Sequence, residues 1–269
     1  MPETFYHVAW IFIIYSFIGW CTEVAYAALD TGKFTNRGFL NGPICPIYGF
    51  GVLTVLVCLI PIKENFLLLF IGSMFLTTVI EFIAGFLLEK LFNTRWWDYS
   101  TDHFNICGYV CLKFSILWGM ACVLIVDVIH PIIFKIINVV PQVVGIILLI
   151  ILILYILTDC FITVASILKF NKRLKGMEEI AGQLKKLSNE LGENIYEGVI
   201  EAMEKGDVLK TSVDNKKQEI MELKEKYKLL MEKNPLNHNR LIKAFPNLKS
   251  KMYNEQLSKI RKYLDDLKK

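Results

Sequence analysis

The first two thirds of the sequence contain little charge, and the motifs of several enzyme classes are missing. Residues 1–168 hold only 7 Lys and Arg and 10 Asp and Glu, whereas residues 169–269 hold 23 and 16. No Gly-x-x-x-x-Gly-Lys-Ser/Thr loop occurs, which excludes ATP hydrolysis through a phosphate-binding loop of that type. The seven cysteines form no Cys-x-x-Cys pair, so a disulfide framework is not expected.

The nearest approach to a metal-binding pattern is His103-x-x-x-Cys107-x-x-x-Cys111, whose four-residue steps would align on one face of a helix. Free cysteine, however, behaves mainly as a small buried hydrophobe, and all seven cysteines lie in apolar segments or at their edges. We therefore interpret these residues as packing residues and predict no metal and no cofactor.

The sequence is apolar and divides into two regions of opposite charge. Hydrophobic residues make up 54% of the chain and the mean hydropathy is +0.42, values that indicate a lipid bilayer and not a soluble domain. The net charge is −3 over residues 1–168 and +7 over residues 169–269. We predict an all-α protein, with a transmembrane helix bundle at 1–168 and a basic, amphipathic helical cytosolic tail at 169–269.

Five apolar segments are candidates to cross a hydrocarbon core about 30 Å thick. The second is short, so a re-entrant segment is the alternative to a crossing. Lys and Arg flank the segments mainly on one side, and the positive-inside rule then predicts a multi-pass cell-membrane protein with its N-terminus outside and its tail in the cytoplasm. Pro131 is predicted to stop the fourth segment. The segments cover residues 5–29, 44–60, 66–92, 108–130 and 142–168.

Glycine and proline interrupt the chain between the first two segments, from Asn36 to Gly51. Pro43 and Pro46 remove amide donors and the glycines permit tight backbone geometry, so this stretch cannot form a plain helix. Irregular backbone at membrane depth is stable only where protein or a water-filled cavity satisfies its polar groups. This stretch is therefore a candidate binding site, and the second long loop, Asn93 to Gly108, would face the cytoplasm beside it.

Five acidic residues lie in or at the ends of the segments, where an ionised carboxylate costs at least ~2.5 kcal/mol at the centre of a helix. Glu81 belongs to a stripe of small and polar residues that recur every four positions in the third segment. Such stripes are typical of a bundle around a polar cavity. The alternative is that they hold helices together, with some acids pairing with basic residues at the inner interface. The acidic residues are Glu23, Glu81, Glu89, Asp127 and Asp159.

A weak internal repeat with a displacement of 66 residues is also present. A true repeat of this kind would give two units with the same orientation in the membrane. The rest of the register matches little, so the repeat stays a hypothesis. Gly19-x-x-x-Glu23 recurs as Gly85-x-x-x-Glu89, and Gly42-x-x-Cys45 recurs as Gly108-x-x-Cys111.

Several long stretches, in order and at plausible spacing, resemble one family. They are Tyr15 to Tyr26 (YSFIGWCTEVAY), Asn36 to Gly51 (NRGFLNGPICPIYGFG) and Glu81 to Gly119, which contains RWWDYS and FNICGYVCL. They resemble bacterial multi-pass membrane proteins described as ABC-transporter permeases of the CmpB type, over roughly residues 5–135. The motif positions here are Gly19, Trp20, Glu23, Asn36, Arg37, Gly38, Phe39, Gly42, Pro43, Pro46, Tyr48, Gly49, Glu81, Glu89, Trp97, Asp98, Tyr99, Asn105 and Gly108.

The resemblance implies an integral membrane transport subunit. With no phosphate-binding loop of its own, the chain would need a separate ATPase subunit. The alternatives are a membrane enzyme acting on a lipid-linked or headgroup substrate at the inner face, and a membrane sensor or scaffold. No catalytic residue is assigned. The candidate binding or pathway residues are Glu23, Arg37, Gly42, Pro43, Pro46, Tyr48, Glu81, Glu89, Arg95, Asp98 and Asn105.

The tail shows two stretches of amphipathic helix spacing, separated by Asn234-Pro235. A helical hairpin or a coiled coil with another chain is expected. The tail would dock on a partner subunit or on anionic lipid headgroups, or would act as a self-associating stalk. A homo-oligomer formed through the bundle or the tail is therefore possible. Binding of nucleic acid is not expected, because acidic residues are interleaved with the basic ones.

Overall fold

The computed structural model describes residues 4–201, 208–233 and 236–267, and helices dominate these ranges. Short 3-10 and π-helical turns follow two of the helices, and one two-stranded sheet is present. In chain order the elements are α1 (Phe5–Thr31), α2 (Pro46–Leu59), a 3-10 turn (Ile60–Ile62), α3 (Phe66–Phe92), β1 (Thr94–Arg95), α4 (Leu112–Leu124), a π-helical turn (Ile125–Ile129), α5 (His130–Val139), α6 (Gln142–Glu201), α7 (Val208–Glu232), α8 (Leu236–Ala244), β2 (Lys249–Ser250) and α9 (Asn254–Asp266).

The apolar helices confirm the predicted all-α membrane bundle. Within the described ranges, four helical stretches are long and apolar enough to cross a membrane: Phe5–Leu29, Phe66–Phe92, Leu112–Val139 and Gln142–Gly192. The second of the five predicted segments is a shorter apolar helix, Pro46–Ile62. The second predicted segment is therefore present as a short helix, beside four stretches that are long enough to cross a membrane.

Helices α1 and α3 have the same length, 27 residues, and similar ends. The side chain of Thr4 accepts a hydrogen bond from the His7 amide at 3.4 Å, and that of Asn65 accepts one from the Leu68 amide at 3.1 Å. Each cap satisfies an amide that has no partner within the helix. Both helices end at a residue in the left-handed conformation, Gly32 with φ 68° and Asn93 with φ 49°.

Helix α2 begins beside the middle of α1. The Cys45 amide, just before α2, donates to the Ser16 carbonyl at 2.9 Å, and Ser16 is the twelfth residue of α1. A Cβ atom at Gly49 would collide with Ser16 and with the Phe12 carbonyl, so glycine permits this close approach. The connection 32–45 therefore returns along α1 to its middle, and α2 continues only through the remaining half.

Helix α4 starts in the same way beside the middle of α3. The Thr78 hydroxyl donates to the Ser115 hydroxyl at 2.8 Å, and Thr78 is the thirteenth residue of α3. The predicted stop at Pro131 is wrong, because α5 continues through it to Val139. Pro131 falls in the first turn after the π-helical turn Ile125–Ile129, where a proline is tolerated.

The core of the bundle lies in the half that contains the start of α1 and the end of α2. Residues from α1 to α5 and from the π-helical turn are buried together there, with less than a tenth of each exposed. The polar groups described below lie in the other half, near the two long connections. The buried core residues are Ile11, Tyr15, Val52, Val55, Leu56, Leu59, Leu69, Cys122, Val123, Val126, Ile133 and Ile137.

The chain divides into two compact units, and α6 contributes to both. The first unit contains Met1–Ser166 together with Asn239–Lys251, and the second contains Ile167–His238 with Met252–Lys269. Helix α6 continues without a break across the predicted boundary between residue 168 and the tail at residue 169. Residues 239–251, here named the returning segment, thus lie in the same unit as the apolar bundle.

The second unit is helical, as predicted for the tail, and it is built from parts of α6, α7 and α9. The Gln256 side chain joins all three, because its Oε1 accepts from the Tyr227 hydroxyl at 2.6 Å and its Nε2 donates to Glu178 at 3.0 Å. Arg173 donates to the Leu230 and Met231 carbonyls at 2.7 and 2.8 Å near the end of α7. A cation at this helix end is favourable, since the last carbonyls of a helix have no partner within it. The predicted Asn234-Pro235 break lies outside the described residues.

Candidate functional site

The first polar group of the bundle contains Glu23, Tyr48 and Arg37. The Tyr48 hydroxyl donates to Glu23 Oε1 at 2.6 Å, and Arg37 Nε lies 3.8 Å from Glu23 Oε2. Gly19, one turn before Glu23, faces the Tyr48 ring so closely that a Cβ atom there would overlap it. The glycine therefore allows α2 to present its tyrosine to the acid on α1.

The second group lies on α3 and the loop that follows it. The Tyr99 hydroxyl donates to Glu81 Oε1 at 3.3 Å, and Glu81 is only 9% exposed. Glu81 Oε2 is buried and has no hydrogen-bond partner among the described residues. Burial, followed by the charges of Glu81 and Glu23, raises the pKa of Tyr99. The two groups meet on α4, because Tyr99 stacks on Phe114 with ring centroids 4.9 Å apart and Tyr48 packs against Trp118, one turn later, at 5.4 Å. We therefore treat them as one interior site.

The glycine and proline stretch is held from inside by Asn36. Its Oδ1 accepts hydrogen bonds from Trp20 Nε1 at 2.8 Å and from the Gly38 amide at 3.0 Å, and its Nδ2 donates to the Asn41 carbonyl at 2.7 Å. One side chain thereby replaces the backbone hydrogen bonds that this irregular stretch cannot make. Pro43 continues the stretch, and Pro46 is the first residue of α2, a position that suits proline.

Asp159 of α6 holds the same stretch through hydrogen bonds from another helix. Its Oδ2 accepts from the Gly42 amide at 2.7 Å, and its Oδ1 accepts from the Asn41 side chain at 2.9 Å and the Asn41 amide at 3.2 Å. Asp159 is 7% exposed, so these donors compensate for the burial of its charge. Asp159 therefore fixes the loop that leads to Tyr48.

A third polar group lies where α3 ends. Arg95 donates to Glu89 at 2.7 Å and to Asp98 at 3.4 Å, and its guanidinium lies 4.8 Å from the centre of the Tyr109 ring. Asn105 shapes the loop beside them, since its Oδ1 accepts from the Gly108 amide at 3.2 Å. These contacts stabilise the loop, and they involve Glu89, Arg95, Asp98 and Asn105. The ion pairs among them also agree with the alternative given in the sequence analysis, in which some acids pair with basic residues at the helix ends.

The His103 to Cys111 spacing does not produce a helical face. Phe104 and Cys107 have φ near 53° and Gly108 has φ 72°, so the loop folds through left-handed turns. Among the described residues, no group of three or more His, Cys, Asp and Glu side chains could hold a metal ion.

The returning segment contacts both long connections. Strand β2 pairs antiparallel with β1, and Lys249 donates to Asp98 at 2.7 Å. Arg240 donates to the Gly38 and Phe39 carbonyls at 2.9 and 3.1 Å. Burial alone would raise the pKa of Asp98, but hydrogen bonds from Lys249 and Ser100 outweigh it and hold the pKa at about 2.

The hypothesis of a repeat with a displacement of 66 is supported at a few positions only. Cys45 and Cys111 stand 66 residues apart and directly precede α2 and α4. Gly85 faces Tyr109 closely, as Gly19 faces Tyr48, and Glu89 pairs with Arg95 as Glu23 pairs with Arg37. The partners, however, do not keep the displacement, since the residue 66 positions after Tyr48 is Phe114 and the residue 66 positions after Arg37 is His103. The repeat therefore stays a hypothesis. Glu81 lies outside this correspondence.

The structure brings the eleven candidate residues into two places. Glu23, Arg37, Tyr48 and Glu81 converge near Tyr99, with Gly42, Pro43 and Pro46 in the adjoining stretch. Glu89, Arg95, Asp98 and Asn105 lie in the loop after α3. The candidate set did not include Tyr99, Asn36 or Asp159, although the first two were among the motif positions and Asp159 was noted as an acid within a span.

The bundle consists of apolar helices around buried acids, and each of its two long loops returns to the middle of a helix. This arrangement is that of a polytopic helical membrane protein. The chain belongs to the family described as "Putative ABC-transporter type IV", which matches residues 10–164. The match includes both acids of the interior site and Asp159, and it ends before the returning segment. Comparisons with curated proteins and with solved structures gave no match.

Proposed function

We propose that the chain is the membrane-embedded subunit of a transporter and that its solute passes the site formed by Glu23, Tyr48, Glu81 and Tyr99. The observation that carries this proposal is the start of α2 and of the stretch α4–α5 beside the middles of α1 and α3. Helix starts at this depth put backbone ends and polar side chains where a transported solute must be bound.

The buried acids support the same proposal. A carboxylate within a membrane span is costly unless it faces the protein interior or water. Glu81 is buried with one oxygen that has no partner among the described residues, and Glu23 is partly exposed beside Tyr48 and Arg37. Asp159, in contrast, has hydrogen-bond donors that explain its burial. A binding role accounts for the interior pair, since a solute would supply the interactions that the helices do not.

Energy for transport would come from a separate ATPase subunit, because the sequence has no phosphate-binding loop. We propose that the N-terminus lies outside and that the two long loops and the tail face the cytoplasm. In that orientation, the basic residues of both loops lie on the inner side, in agreement with the positive-inside rule. The loops would then be the surface that an ATPase reaches.

The test begins with purification from the native host in a mild detergent and identification of every attached protein. We expect an ATPase to co-purify and its hydrolysis rate to change when this subunit carries Glu81→Gln. The matched control is Glu64→Gln, which alters an exposed acid in the turn between α2 and α3. A folded subunit with no attached ATPase, and with no effect on the hydrolysis of any ATPase of the host, would contradict the proposal.

A further inference from the structure

The negative charge of the interior site is only partly paired. Arg37 lies 3.8 Å from Glu23, and Lys113, whose ammonium lies 5.5 Å from the Phe114 ring, is exposed. No Lys or Arg side chain among the described residues forms an ion pair with Glu81. With both acids ionised, one negative charge is therefore left for a ligand to neutralise.

Glu81 also has an unused acceptor. Tyr99 donates to its Oε1, whereas its Oε2 is buried and has no hydrogen-bond partner among the described residues. More than nine tenths of the Glu81 surface is buried. Buried polar atoms nearly always have a partner, and a charged one that lacks a donor is especially costly. A ligand at this position should therefore bring a hydrogen-bond donor as well as a positive charge.

Aromatic rings flank both tyrosines of the site. Trp118 meets the Tyr48 ring edge to face with centroids 5.4 Å apart, and Phe114 stacks on Tyr99 at 4.9 Å. Aromatic faces attract organic cations. A metal ion fits less well, because no cluster of three or more His, Cys, Asp and Glu residues that could hold one occurs in the described ranges.

We propose that Glu81, assisted by Glu23 and by the hydroxyls of Tyr48 and Tyr99, binds the ammonium group of a small organic cation. The ammonium N–H groups donate to Glu81 Oε2, and the charge neutralises the excess negative charge. This inference rests on the proposed function, since the cation would be the transported solute. Binding itself, however, requires only this chain.

The experiment is isothermal titration calorimetry on the purified full chain with butylammonium chloride, at constant ionic strength in sodium chloride. The matched probe is 1-butanol, which has the same alkyl chain and no charge. We expect saturable binding of butylammonium by the unaltered protein and by Glu64→Gln. Glu81→Gln should weaken it on the order of tenfold or more, because the glutamine has no charge to attract the ammonium group. The thermal unfolding of each variant verifies that it is folded.

The inference is overturned if 1-butanol binds as tightly as butylammonium, if folded Glu81→Gln binds butylammonium with unchanged affinity, or if the folded unaltered protein binds no butylammonium. It is also overturned if an infrared band of a protonated carboxyl disappears in Glu81→Gln but is unaffected by butylammonium, since a proton would then neutralise the site. If an ATPase co-purifies but the protein binds no organic cation, only this inference is contradicted. If the protein binds the cation but no ATPase is attached to it, only the proposed transport subunit is contradicted.

Discussion

The Gly42 amide donates a 2.7 Å hydrogen bond to Asp159 Oδ2, which joins the first long loop to α6 across 117 residues of sequence. Asn36 holds the loop locally, and this contact adds an anchor on α6 shortly before α2 begins. The same carboxylate also accepts from Asn41. The position of Tyr48 in the interior site therefore depends on an acid that lies outside that site.

Replacement of Asp159 should release this loop. Asp159→Ala leaves the Gly42 and Asn41 amides without their acceptor, and we expect a loss of unfolding free energy on the order of 3 kcal/mol. Denaturant-induced unfolding in detergent measures the loss, and maleimide labelling of buried Cys45, quantified on its peptide, should become faster. The control, Asp127→Asn, changes an exposed acid and should do neither. Unchanged Cys45 labelling in Asp159→Ala would contradict this role.

Two glycines of α2 give a matched test of the close approach to α1. A Cβ atom at Gly49 would overlap Ser16 and the Phe12 carbonyl, whereas one at Gly51 would meet nothing within 4 Å. We expect Gly49→Ala to destabilise the protein by roughly 1–3 kcal/mol, because the helices must move apart. Gly51→Ala should be neutral or stabilising by up to about 1 kcal/mol, since alanine favours helix over glycine. Melting temperatures in detergent provide the comparison, and equal effects at both positions would show that α2 does not pack as described.

The pairing of β1 with β2 predicts a specific crosslink. Thr94 lies opposite Ser250, and residues opposite each other in an antiparallel pair are about 4.5–5.5 Å apart at Cα, within disulfide range. Thr94→Cys with Ser250→Cys should form a disulfide under mild oxidation, detected by mapping of non-reduced peptides. Thr94→Cys with Lys243→Cys is the control and should not crosslink. Equal yields from the two pairs would mean that the returning segment is not held in this register.

The contact between Lys249 and Asp98 should depend on pH. The pKa of Asp98 is about 2 in the folded chain, below the value of about 3.9 for an unperturbed aspartate. A carboxyl with a lowered folded pKa contributes stability above the unfolded pKa, so this contribution is present above about pH 4 and is lost as the pH falls toward 2. Lys249→Gln should raise the pKa of Asp98, because the first of the stabilising hydrogen bonds is removed.

Carboxyl carbon NMR of aspartate-labelled protein in micelles measures this pKa, with the resonance assigned by its absence in Asp98→Asn. Lys243→Gln, an exposed lysine of α8, is the control and should leave the pKa unchanged. A pKa near 2 that persists in Lys249→Gln would contradict the assigned cause.

Much of the fold follows from local sequence. The apolar lengths of α1 and α3 and the glycine and proline residues before α2 predicted those helices closely, because hydrophobic length and missing amide donors act within a few residues. The end of α5 was not predictable in this way. Pro131 alone indicates a stop, and only the π-helical turn before it, which leaves no clear signature in sequence, allows the helix to continue.

The candidate site was predicted only in part, because only some of its residues can be identified from the local sequence. Glu23 and Glu81 could be identified because an acid in an apolar helix is costly on its own, whatever surrounds it. Their tyrosines, Tyr48 and Tyr99, come from separate loops and helices, so their contacts depend on tertiary structure. The returning segment was not predicted at all, since Arg240 and Lys249 look like other basic residues of the tail and their partners lie about 150–200 positions earlier.

Cys45 and Cys111 occupy matching positions immediately before α2 and α4, and they are 7% and 1% exposed. Each long connection thus ends at a shielded thiol, a third buried thiol, Cys122, lies in the apolar core, and mass spectrometry can tell their peptides apart. A single thiol reagent, applied during a working cycle, would report separately when each half of the protein admits water, without any engineered label.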